Sequence, residues 1–191
     1  MKQLGLFLNL VVAAALVLLL WPASGAAQPA DAPRADIETL MAELARPDQE
    51  RWQRIERQIL REWARSGSAS VDFLFQRGQS ALQAGDTSAA IAHFSAAIDH
   101  APDFAEAWNA RATAYYMANR IGPSMADIEQ TLARNPQHFG ALAGMGAILE
   151  QLGRPAQARE AYAAAHALHP HRPSVREALS RLERQLAGRD T

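Results

Sequence analysis

The chain has no cysteine, and Lys2 is its only lysine. Without thiols there can be no disulfide, no thiolate-held metal, no thiol nucleophile and no lipid-modified cysteine. An excess of charge of either sign is also missing. A formal net charge of -1 sets up no strong field toward nucleic acid or anionic lipid, and no nucleic-acid partner is expected. Arginines alternate with acids, as from Glu56-Arg57 to Arg61-Glu62, in the manner of a solvated helix face. Two signatures of chemistry are missing as well. There is no Gly-x-Ser-x-Gly elbow, and Ser66 and Ser68 read as helix-end and turn residues. There is no Gly-rich phosphate loop, since Gly140, Gly144 and Gly146 fall within a helical pattern where small size serves packing. Neither an enzyme nor a bound cofactor is expected.

What is present begins with 49% hydrophobic residues in a chain of 191, enough for one domain with a packed core. At the N-terminus, Lys2 precedes an apolar run from Leu4 to Trp21, interrupted only by Gly5 and Asn9. The small residues Ala23-Ser24-Gly25-Ala26-Ala27 follow. This is the layout of a secretory signal peptide over residues 1–27, cleaved after Ala26 or Ala27, with a Pro-rich linker over 28–34. An uncleaved membrane anchor is the alternative, because the run approaches the roughly 20 residues that span a bilayer. Either way the remainder is expected outside the cytoplasm, most simply in the periplasm.

Prolines stand at 102, 136 and 170, a spacing of 34 residues. With units over 71–104, 105–138 and 139–170, the eighth position reads Gly78, Ala112 and Gly146. Position 20 reads Ala90, Ser124 and Ala158, position 24 reads Phe94, Ile128 and Tyr162, and position 27 reads Ala97, Thr131 and Ala165. The large fourth position is Leu74, Trp108 and Leu142. Two helices approach closely only where small side chains face each other, so positions 8 and 20 mark a crossing point. Gly85 and Gly153 separate the helices of the outer units, and Gly122-Pro123 opens the second helix of the middle one. Each terminal proline stops a second helix.

On this period and these positions, over about 100 residues, the chain resembles the tetratricopeptide-repeat family. The resemblance implies an all-α, right-handed α-solenoid of antiparallel helix pairs. Such a stack needs covers at its ends. Downstream of Pro173, Val175, Leu179, Leu182 and Leu186 recur at helical spacing and predict a capping helix over 173–187. Upstream, Leu40, Met41 and Leu44, then Trp52, Ile55, Ile59 and Trp63, predict a degenerate helical hairpin over 35–66 that covers the first unit.

In proteins this chain resembles, the first helix of each unit lines a concave groove that binds a protein or peptide partner. Carried over by position, the groove residues are Asp72, Phe75, Gln79, Leu82 and Gln83; Glu106, Asn109, Thr113, Tyr116 and Met117; and Gly140, Ala143, Ala147, Glu150 and Gln151. The chain departs from members that clamp a terminal carboxylate with basic residues, because none falls on these positions. An accessory subunit of an envelope assembly, anchored by its leader, is a second functional reading. The third reading is metal binding by His166, His169 and His171, but these are more simply exposed residues at a helix C-terminus. His93, His100 and His138 read as surface residues. Oligomeric state is left open.

Overall fold

The computed structural model describes residues 36–188; the leader and linker lie outside them. Among the described residues there are nine helices and no strand. α1 (Ile37–Leu44) and α2 (Trp52–Trp63) form a hairpin. Three pairs follow: α3 (Ala69–Gln83) with α4 (Thr87–His100), α5 (Ala105–Met117) with α6 (Ile121–Arg134), and α7 (Phe139–Gln151) with α8 (Pro155–Leu168). α9 (Pro173–Ala187) then packs on α8 through Val175, Ala178 and Leu182. This is an all-α solenoid.

The reversal inside each pair depends on one residue in the left-handed region. Gly85 and Gly153 hold φ of +79° and +69° in the outer units. In the middle unit Gly122-Pro123 lie in the first turn of α6, as the spacing predicts, and Asn119 makes the reversal at φ 56°. Asparagine visits this region at lower cost than other side-chain-bearing residues.

The small eighth position is required by the ring at position 24. A Cβ on Gly78 would collide with the Phe94 ring, and one on Gly146 would come within 2.9 Å of the Tyr162 ring. The middle unit carries Ala112 against Ile128 instead, and the Ser124 hydroxyl donates to the Ala112 carbonyl at 2.8 Å. A second polar tie joins the same helices. The Arg111 guanidinium grips the buried Asp127 carboxylate at 2.7 and 2.9 Å and reaches Ser95 on α4 at 2.9 Å. Trp108, at the large fourth position, packs half-buried against the first core, with the Arg111 and Arg134 guanidinium groups 4.9 and 4.7 Å from its ring.

The hairpin meets the first unit's core at Ala64, just after α2, but its own core is closed by the third unit. The hairpin core of Met41, Leu44, Ile55 and Ile59 is closed by Phe139 and Leu168, from the beginning of α7 and the end of α8. α2 therefore lies across the turns between later units. Trp63 stacks on His138 at 4.6 Å, and Trp52 stacks on His171 at 5.7 Å. The His171 imidazole also bonds the Arg46 carbonyl at 2.9 Å. His138 and His169 are thus buried rather than exposed. His138 Nδ1 accepts the Ala141 N–H at 3.0 Å and so caps α7, which leaves its Nε2 to donate to Glu106 at 2.8 Å. His169, 0% exposed, faces Glu56 at 3.5 Å between the edges of Trp52 and Phe139. That imidazole, with Arg172 at 3.4 Å, holds the Glu56 carboxyl below its ordinary pKa.

Candidate functional site

α5 and α7, the first helices of the second and third units, form the walls of a cleft of about 210 Å³ floored by α6. Asn109, Thr113 and Tyr116 line it from α5, with Gly140, Gly144 and Ala147 facing them from α7. These α5 residues share a face because they lie four and three positions apart. Tyr116 is 42% exposed at the rim, and the neighbouring Met117 is 54% exposed. Gln79 on α3 is exposed, while Leu82 is half-buried against the first core.

Four residues assigned to the groove are otherwise engaged, Glu106 by His138 at 2.8 Å. Phe75 is 1% exposed and packs between Phe94 and Phe104, because the ring at the start of α5 draws it into the core. Asp72 accepts the Ser66 backbone N–H at 2.7 Å and its hydroxyl at 2.6 Å, fastening the turn before α3. Glu150 receives the Arg181 guanidinium from α9 at 2.8 Å. It also faces Tyr162, whose pKa is pushed up to about 12 by burial first and by this carboxylate second.

Residues not assigned to the groove complete the cleft. Ser124 and Ile128 rise from α6, and Ala112, Ala141 and Ile148 fill between. The sequence held one signal for them. Ile128 stands where the outer units carry a ring, and a smaller side chain at that place leaves room. Among the described residues no three histidine or acidic side chains converge to hold a metal ion.

Two sequence models described as "Tetratricopeptide repeat" match residues 75–122 and 139–182. A TPR repeat-containing protein of Rhizobium etli is 34% identical over 160 residues, covering 83% of this chain and 78% of its own. The chain belongs to the tetratricopeptide-repeat family. Among solved structures, the first TPR domain of Spaghetti (RPAP3), bound to an HSP90 peptide, is 21% identical. It superposes with a TM-score of 0.59, over 61% of this chain and 95% of that one. The Sgt2 TPR domain of Aspergillus fumigatus is 20% identical with a TM-score of 0.60, over 64% and 83%. The Yersinia enterocolitica type III secretion chaperone SycD, in complex with a peptide of the translocator YopD, is 15% identical with a TM-score of 0.55, over 63% and 92%. At these identities the likeness shows the fold. The repeats make the chain a protein-interaction scaffold.

Proposed function

We propose that this is an exported, periplasmic interaction module that holds an extended or helical segment of a cell-envelope protein in the cleft between α5 and α7. The observation that carries the reading is the convergence of Asn109, Thr113 and Tyr116 on one wall of a solvent-facing cleft, with the small residues of α7 opposite. An asparagine amide can bracket a peptide backbone, while Tyr116 and Met117 offer apolar contact. Solved relatives of the same fold hold peptides of HSP90 and of YopD. Export is supported by the charged, apolar and small-residue order of the first 27 residues.

Asn109→Ala combined with Tyr116→Ala removes capture of the partner from envelope extract, while circular dichroism shows unchanged helical content. Capture at the parental level overturns the cleft assignment. N-terminal sequencing of the exported product tests the leader: a start near Ala27 supports cleavage, and an intact Met1 favours the anchored accessory subunit.

A further inference from the structure

The volume of the cleft, about 210 Å³, lies below the roughly 300 Å³ at which pockets for drug-sized ligands begin. It exceeds the roughly 150 Å³ of an apolar cavity that accepts a benzene ring. One aromatic or branched aliphatic side chain fits this range, and a nucleotide or cofactor does not. The space arises because Ile128 occupies the place that Phe94 and Tyr162 fill in the outer units.

None of the eleven residues lining the cleft is charged. The nearby charged groups are committed elsewhere: Glu106 to His138, Arg111 to Asp127 and Glu150 to Arg181. A carboxylate entering here would lose its hydration and meet no cation, which is strongly unfavourable. Two of the lining hydroxyls are also committed, Ser124 to the Ala112 carbonyl and Thr113 to the Asn109 carbonyl at 3.1 Å. The Asn109 amide oxygen and the Tyr116 hydroxyl make no hydrogen bond among the described residues. An acceptor and a donor–acceptor at one rim suit the alternating N–H and C=O groups of an extended backbone.

Resting on the proposed groove function, we infer that the cleft seats one large apolar side chain, of leucine, methionine or phenylalanine size, from an extended internal stretch of a partner protein. A free C-terminus is not required. The uncharged lining, the single-side-chain volume and the two uncommitted rim groups select this occupant together.

The test is an array of short random-sequence peptides, made with free and with amidated C-termini and probed with the full chain and its variants. Gly144→Leu fills the cleft from α7, and Ile128→Phe with Ala112→Gly fills it from α6. The inference expects bound peptides to share one Leu, Met or Phe, with alanine at that residue weakening binding about tenfold or more. Free and amidated ends bind alike, and both filled variants lose about tenfold or more while keeping their helical content. Selection for acidic residues or a free carboxylate overturns the inference and leaves the groove standing. So does undiminished binding by both filled variants, provided Asn109→Ala with Tyr116→Ala still abolishes it. If no peptide binds and that double variant captures partner normally, the groove itself falls. A dimer dispersed by Gly144→Leu, or peptide binding that emerges only when residues 28–34 are deleted, shows a second copy or the chain's own linker as occupant and overturns the inference.

Discussion

The outer units and the middle unit close the same helix crossing by different means. In the first and third units a ring lies flat on a glycine, Phe94 on Gly78 and Tyr162 on Gly146, and dispersion over a large apolar area holds the pair. In the second, Ile128 meets Ala112, and polar ties take over: Ser124 to the Ala112 carbonyl, and Arg111 to Asp127 and Ser95. An apolar crossing tolerates no added volume. A polar crossing leaves free space beside it, and the cleft occupies that space. The unit with the weaker apolar closure is the one suited to hold something else.

The largest break in this comparison comes from the buried ion pair. Arg111→Met leaves the Asp127 carboxylate buried without its cation and lowers stability by about 3 kcal/mol, read by urea denaturation. Adding Asp127→Leu recovers most of that loss. If both variants melt with the parent, the polar tie is not what closes the middle unit.

Converting the middle crossing to the outer type comes next. Ile128→Phe alone overpacks against Ala112 and costs about 1–3 kcal/mol. Ala112→Gly placed on top raises stability again, although the new glycine itself disfavours the helix by about 1 kcal/mol. Simple additivity in this double-mutant cycle would show that ring and glycine are not coupled as the outer units suggest.

The third unit carries an alkaline signature at Tyr162. Tyr162 has its pKa raised from 10.0 to about 12 in the fold, so its contribution to stability is complete below pH 10 and is lost as pH rises toward 12. Tyr162→Phe removes this step from the stability profile, and the ionisation near pH 12 disappears from the ultraviolet titration. The smallest effects belong to the reversals. Gly85→Ala lowers stability by about 1 kcal/mol because the left-handed backbone penalises a side chain, whereas Asn119→Gly changes it by less than about 1 kcal/mol. Thermal melts of the two variants decide the matter.

Much of the solenoid was legible because its determinants repeat. Gly78, Ala112 and Gly146 announce themselves by recurring every 34 residues, and the helix pairs follow from that spacing. The seat of the hairpin was not legible, since its partners do not recur: Phe139, Leu168 and His169 each contact α2 through an arrangement found once. The same limit explains the site. Register alone brought Asn109, Thr113 and Tyr116 to one wall. Register could not show that Phe104 would draw Phe75 inward, or that Arg181, 31 residues away, would occupy Glu150. A histidine in a polar turn reads as solvated until a tryptophan from a distant helix lies on it, as Trp63 does on His138.

The bond from His171 to the Arg46 carbonyl joins residues 125 apart in the chain. Repeats otherwise assemble from neighbours and can form as they emerge from the ribosome. The hairpin breaks that order: it is synthesised ahead of every unit, yet its apolar face finds closure only when the beginning of α7 and the end of α8 exist. Until then Trp52, Ile55, Ile59 and Trp63 are left without their lid, and the fold is sealed by the segment that waited longest.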